Sequence, residues 1–405
     1  MRLIKNALVA TFAASFSLPI YSQINKGFQD KGENHSKSEI LISENIVDND
    51  SGKLKISVTG TRTPREVKNV PGSVNVIDQE DISERGTTEL KDIFRYDAGI
   101  DLKSENDTRF NNYGAGDVSI RGFDGNRVLM QRDNIRLPAV YEFGSSYTIY
   151  RSEMIDFNFL KSTEILKGAA SALYGSDALG GVVTFQTLFP EDILEDDENT
   201  KFELKNTYTS FNTGYSSVAK FAGRDDESGL EGVLVITKTG AEEAKVKADA
   251  KYINDVESDG LNISTNLVKN FDDYSRGYLI IENIDKETQT IASDANLPSS
   301  SYSSAVEDRT VRRTMVSANY EFDNAESDNF VDYFKFTGYL QNAYSTDDSL
   351  MDVKAVPARP ARMSRGRMLP ASPAVPGYKL LNDYDLTDDS YGANVQLRSD
   401  LFDSN

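Results

Sequence analysis

Tyr391-Gly392-Ala393-Asn394-Val395-Gln396-Leu397-Arg398-Ser399-Asp400-Leu401 alternates apolar or small side chains with polar ones. Successive side chains of a β-strand point to opposite faces, so this stretch carries one apolar and one polar face. The pattern recurs upstream. Val316, Ala318, Tyr320 and Phe322 alternate with Ser317, Asn319 and Glu321. Phe334, Phe336, Gly338 and Leu340 alternate with Lys335, Thr337, Tyr339 and Gln341. Leu261, Ile263, Thr265 and Leu267 alternate with Asn262, Ser264 and Asn266. Between residues 201 and 402 there are about eight such segments, each about ten residues long and joined by polar turns. That is the signature of strands crossing a bilayer, apolar face to lipid and polar face to a lumen.

Composition removes the competing classes. The 405 residues carry a formal charge of −20, one histidine (His35), no cysteine and no tryptophan. There is no thiolate metal site, disulfide framework or cysteine nucleophile, and no multi-histidine metal centre. With 64 acidic against 44 basic residues, nucleic acid is not an expected partner. No apolar run approaches the roughly 20 residues of a spanning helix. No nucleophile–base pair or paired-carboxylate motif stands in a recognisable context, so no enzyme, catalytic residue, resident cofactor or metal is expected.

Upstream, Arg2 and Lys5 precede an apolar run from Ala7 to Ile20, which reads as a signal peptide over residues 1–22. Residues 23–54 are polar and read as a disordered periplasmic arm. The texture changes at Lys55. Residues 61–192 read as a mixed α/β domain, with a strand at Ser73–Ile77 and a helix opening at Thr87-Thr88-Glu89-Leu90. Further strands are expected at Asp117–Ile120, Arg127–Met130, Ile135–Leu137, Glu164–Leu166 and Val182–Phe185, and a small helix from Ala169 to Leu173. Residues 200–405 hold the alternating strands. An eight-stranded barrel is filled by its own side chains, whereas plugged lumens belong to barrels of about 22 strands. The expected fold is therefore a mixed α/β plug followed by the N-terminal portion of an antiparallel transmembrane β-barrel, about 8 of about 22 strands, in an N-terminal fragment.

Several motifs then carry a resemblance. Ile56-Ser57-Val58-Thr59-Gly60-Thr61-Arg62, Val118-Ser119-Ile120-Arg121-Gly122-Phe123, Glu164-Ile165-Leu166-Lys167-Gly168 and Ser171-Ala172-Leu173-Tyr174-Gly175-Ser176-Asp177-Ala178-Leu179-Gly180-Gly181-Val182-Val183 follow in order. They resemble the plug of TonB-dependent outer-membrane receptors. The last run, with Phe189-Pro190-Glu191-Asp192-Ile193-Leu194, is most similar to the haem/haemoglobin receptor branch. The resemblance implies outer-membrane import of an iron-containing ligand, haem or haemoprotein-derived haem, with haem or a ferric chelate only as cargo. A ferric-siderophore or cobalamin receptor is the alternative within the family, and a passive porin or adhesin outside it. It implies a TonB box at residues 55–60 (Lys55, Ile56, Ser57, Val58, Thr59, Gly60) that pairs with periplasmic TonB by strand addition.

Other residues are read on their own chemistry. Gly168, Gly175, Gly180 and Gly181 are expected to permit tight turns that pack the plug, as is Gly122. Arg121 is expected to be structural, in a plug–barrel salt bridge. Tyr113, Tyr141 and Tyr147 lie in two expected apical loops and are candidate ligand contacts, since tyrosinate binds haem iron. His35 lies upstream of the box, away from that apex. Finally, Val353 to Pro370 carries Lys354, Arg359, Arg362, Arg365 and Arg367 with no acid, and five of the 11 prolines fall between Pro357 and Pro376. This is expected to be an external loop between the seventh and eighth strands, with Arg362, Arg365 and Arg367 attracting anionic ligand groups or lipopolysaccharide phosphates.

Overall fold

The computed structural model describes residues 47–48, 52–53, 56–57, 59, 65–70, 72–84, 90–102, 118–142, 148–210, 213–242, 255–293, 302–324, 331–364 and 367–399. The expected signal peptide, most of the arm, Lys55, Val58, Gly60, Tyr113, Tyr147 and Arg365 lie outside them.

The first layer is a five-stranded sheet. Its strands are β1 (Ser73–Asp78), β2 (Val128–Arg132), β3 (Ile135–Arg136), β4 (Leu160–Lys167) and β5 (Gly181–Thr187), in the order β1-β4-β5-β2-β3. Only β5 and β2 pair in parallel. The central strands are buried on both faces: β5 (GVVTFQT) runs largely apolar in consequence, while β4 (LKSTEILK) buries Ser162, Thr163 and Glu164 as well as Ile165 and Leu166. Helices α1 (Gln79–Glu84) and α2 (Leu90–Phe94) supply Ile82, Ile93 and Phe94 to a core with Ile77, Ile120, Met130, Ile165 and Phe185. On the other face Ala170 and Ala178, which flank α3 (Ser171–Tyr174), pack with Leu129, Leu166 and Val182. Gly181 is required where β4 and β5 meet, because a Cβ there would collide with the Leu166 carbonyl oxygen.

The second layer is a wall of eight antiparallel strands in chain order. They are β6 (Thr200–Thr209), β7 (Gly214–Asp225), β8 (Leu230–Ala241), β9 (Asp255–Asn270), β10 (Ser275–Ser293), β11 (Tyr302–Asp323), β12 (Tyr333–Val353) and β13 (Tyr378–Arg398). Their register aligns one row across all eight: Phe202, Phe221, Leu234, Thr265, Ile281, Val316, Leu340 and Tyr391. Seven of these eight residues are apolar or aromatic, and the side chains of Phe202, Leu340 and Tyr391 are more than three-fifths exposed. This row faces away from the plug and forms the lipid band. The adjacent row faces the plug and is mostly polar: Ser264, Glu282 and Gln341 are buried there beside Val235 and Met315.

Beyond the band the outer face turns polar. Arg312 bonds Asp285 at 2.9 Å and Glu287 at 3.0 Å, and Asn283 bonds Thr314 at 2.9 Å. The strand ends differ as well. Connections 226–229, 271–274 and 324–332 lie at one end and 210–213, 242–254, 294–301 and 354–377 at the other, so the two longest share the second end. Short turns mark the periplasmic side of an up-and-down barrel and long connections the external side.

The Pro-rich connection after β12 departs from the expected loop. It continues the β12–β13 ladder, as Val356 and Val375 exchange backbone bonds of 2.9 and 2.8 Å, and Arg359 and Ser372 two of 2.9 Å. Arg362–Ser364 then pairs with Arg367–Leu369. Proline breaks a ladder only where it must donate, and none of the five prolines occupies a bonded position.

The face assignment is testable in the protein in lipid membranes. Val316→Arg, in the lipid row, should destabilise the barrel by roughly 2–4 kcal/mol, whereas Thr310→Arg, on the same face beyond the band, should change it by less than about 1 kcal/mol. Urea unfolding followed by gel mobility reads both.

Candidate functional site

The chemistry of this fold lies where plug meets wall, and charged side chains carry much of it. At mid-height Glu282 of β10 is fully buried between two arginines, Arg132 at the end of β2 and Arg313 of β11, both also fully buried. Glu282 thereby joins a guanidinium of the plug to one of the wall. Arg132 Nε donates to Thr187 Oγ1 at 3.0 Å, and Arg313 Nε to Gln341 Oε1 at 2.8 Å. Arg313 also reaches the plug directly, donating to the Met154 carbonyl at 3.1 Å. Burial lowers the Arg132 guanidinium to about 10, which leaves it protonated at neutral pH.

Further plug–wall hydrogen bonds flank this cluster. Asn262 donates to Asp156 at 2.8 Å, and Gln341 Nε2 to the Arg136 carbonyl at 3.2 Å. Apolar contacts fill the remainder: Ile135 of the plug packs with Val268, Tyr278, Ile280 and Met315. Towards the short-turn end, Arg276 bridges Glu191 of the plug at 3.1 Å and Glu321 of the wall at 3.0 Å. Towards the long-connection end, Arg309 lies 3.6 Å from Glu153. The plug is thus pinned at three heights.

A second feature involves the segment expected as the TonB box. Ile56–Ser57 pairs with Arg65–Glu66. Thr59 is buried against the plug: its N–H donates to Glu164 Oε2 at 2.8 Å, and its carbonyl accepts from the Tyr174 hydroxyl at 2.8 Å. Glu164 lies in β4 and Tyr174 ends α3, so the quoted motif that packs the plug also holds this segment.

The structure brings some expected residues together and disperses others. Gly168 and Gly180 share a backbone bond of 3.0 Å, and Gly175 ends α3 with φ 86°. Arg121 is a correction. It sits exposed in a turn with φ 53°, next to Gly122 at φ 85°, and its N–H bonds the Gly99 carbonyl at 2.7 Å. Among the described residues the plug–wall ion pairs belong to Arg132, Arg276 and Arg309. Arg121 follows the short strand Val118–Ile120, in a turn where its side chain is exposed to solvent. Tyr141 lies in a hairpin of Val140–Glu142 with Thr148–Tyr150. Arg362 and Arg367 lie in the paired arm, 24 residues or more beyond Gly338 of the lipid band. Sequence reading missed Arg132, Glu282 and Arg313. The available signal was a lone acid after Tyr278-Leu279-Ile280-Ile281 and a lone arginine after Val128-Leu129-Met130.

Comparison with known proteins follows the same division. Residues 66–182 match the family described as TonB-dependent Receptor Plug Domain. Transferrin-binding protein A of Haemophilus influenzae is 34% identical over 211 residues, covering 50% of this chain and 22% of that protein. A hemin receptor of Yersinia pestis is 27% identical over 177 residues, covering 44% and 24%. The chain therefore spans less than a quarter of the length of these curated relatives. In fold it is similar to the FrpB iron transporter from Neisseria meningitidis, with a TM-score of 0.53 at 15% identity, covering 79% of this chain and 50% of that one.

The buried cluster predicts an asymmetry. Glu282→Gln leaves Arg313 without its close counter-charge and Arg132 with only Asp133 at 3.9 Å, and should cost roughly 3–5 kcal/mol, whereas the triple change Arg132→Met, Glu282→Leu, Arg313→Met should lie within about 2 kcal/mol of the parent. Protease sensitivity of the plug against urea concentration measures both.

Proposed function

We propose that this chain, which carries a TonB-dependent receptor plug domain, forms part of an outer-membrane receptor that imports an iron-containing ligand with energy delivered by TonB. The observation that carries this reading is the pinned plug. Moving the plug as a whole out of the lumen requires that Arg132 part from Glu282, which stays beside Arg313 on the wall. Separating a buried pair leaves uncompensated charge and costs several kcal/mol. Binding of a small ligand alone does not readily supply that work at every passage, so an external source of energy fits the architecture.

The segment at residues 55–60 suits delivery of that energy. Main-chain pairing gives a peptide strand affinity with little side-chain demand. Thr59 is held by two hydrogen bonds, which a competing strand can replace.

The cargo is read as iron carried by a protein. Likeness to a protein named for transferrin binding supports this, and likeness to a hemin receptor supports haem as a second reading. Tyr141 remains a candidate ligand contact with Tyr113 and Tyr147, alongside the arginines of the arm.

Uptake tests the proposal in a strain whose only receptor of this kind is this one. Radioiron from iron-loaded transferrin or from haem should accumulate in energised cells and stop when a protonophore is added. Val58→Pro removes a backbone donor from the box and should reduce uptake at least tenfold while surface binding stays within twofold. Uptake that ignores both treatments would overturn the reading.

A further inference from the structure

The arm between β12 and β13 is built unlike the rest of the wall. From Val353 paired with Tyr378, the bonded pairs step outward as Val356 with Val375, Arg359 with Ser372, and Arg362 with Leu369. Each step is three residues on both strands, where an ordinary antiparallel ladder repeats every two. Three residues per turn is the repeat of polyproline II, which has no internal hydrogen bonds and leaves its backbone free to pair sideways. The sequence follows the same period. Prolines stand one place after ladder residues, at 357 and 360 on the outgoing strand and at 370, 373 and 376 on the returning one. The missing N–H of proline therefore never falls on a bond, and its fixed φ stiffens the positions between bonds. The result is a preordered two-stranded spur.

Charge and reach define what the spur meets. It carries Lys354, Arg359, Arg362, Arg365 and Arg367 and no acid, on a chain of net charge −20. Arg359 is exposed and ion-pairs with no described residue, although β12 and β13 below it carry Asp347, Asp348, Asp352, Asp383 and Asp385. Met363 and Met368, near the tip, are both more than three-fifths exposed. Such side chains adapt to irregular apolar surfaces.

Height separates the two anionic surfaces available. From Leu340 in the lipid row to Val353 the strand runs roughly 40 Å at about 3.3 Å per residue. The spur adds roughly 30 Å at about 3.1 Å per residue. With strands tilted by about 45°, its tip stands roughly 50 Å above the Leu340 row, hence at least roughly 35 Å above a band about 25 Å tall, while headgroups extend only roughly 5–8 Å beyond the hydrocarbon. The positive charge is placed far beyond lipid phosphates.

We infer that the spur is a docking element for an acidic surface of a soluble protein. This deepens the import reading by giving the chemistry of the protein that brings the iron, and it rests on that reading only for the external position of the spur. A cationic, proline-stiffened hairpin loses little freedom on binding, so its affinity is not spent on ordering a loop.

Two experiments on the receptor in outer-membrane vesicles test it. The chain has no cysteine, so Val356→Cys with Val375→Cys should cross-link under mild oxidation, because bonded partners lie about 5.5 Å apart. Val356→Cys with Ala371→Cys should not. Failure of the first pair, or equal cross-linking of both, would overturn the ladder. For docking, the probe is fluorescent succinylated serum albumin, a polyanionic soluble protein, with lipopolysaccharide micelles as the competing anionic surface. Reversing four charges (Arg359→Glu, Arg362→Glu, Arg365→Glu, Arg367→Glu) should lower albumin capture at least tenfold at low salt and leave micelle binding within twofold. Val356→Pro with Val375→Pro breaks the ladder without changing charge and should lower capture at least threefold. Unchanged capture in the charge-reversed variant, or a loss confined to micelles, would overturn the assignment. Capture needs no energy, so a failure here is distinct from a failure of TonB-driven uptake.

Discussion

Glu282 between Arg132 and Arg313 is the contact on which the arrangement of plug and wall depends. Two cations and one anion leave water together, and each alone is costly to bury. The cluster forms in one relative position of the two layers, where β2 ends against β10 and β11. Apolar contacts such as Ile135 on Tyr278 tolerate small sliding, but a displaced guanidinium does not. Charge sets the position and apolar packing fills it.

The same contact fixes the wall's register. Ile281 faces lipid and Glu282, its neighbour, faces the plug. A slip of one residue exchanges every side chain between faces, placing a carboxylate in hydrocarbon and removing it from two arginines. Strands that separate two environments are therefore specified twice. Above the band this constraint is relaxed. The cross-strand bonds of Arg312 with Asp285 and Glu287 bind neighbouring strands where water is present on the outer face.

Legibility in the sequence follows from range. Alternation is a local property, so the lipid row and the count of about eight wall strands could be read directly. The plug's glycines were legible because a turn is also local. The buried charges were not, because Arg132 and Glu282 lie 150 positions apart and nothing near either names its partner. Arg121 shows the converse error: an arginine in a recognisable motif attracted the role that Arg132 fills. The spur departs from the expected loop for a different reason. Proline is a breaker by type, yet the spacing by threes is present in Pro357, Pro360, Pro370, Pro373 and Pro376, and it is spacing that decides whether a missing N–H matters.

Sheet order links the segment expected as the TonB box to the pin. The chain from Thr59 enters the plug through β1, which lies at one edge of the order β1-β4-β5-β2-β3, while Arg132 ends β2 near the other. Tension applied at Thr59 first meets two hydrogen bonds, each worth about 1–3 kcal/mol. It then acts on the single ladder between β1 and β4, beginning at Ser73 with Lys167. Loading an edge strand from its end breaks backbone bonds one after another, whereas the charge cluster would have to break at once. An edge can thus be drawn away while Arg132 still holds the remaining strands to Glu282. The separation of the pulled edge from the anchored one lets part of the plug move without losing the whole.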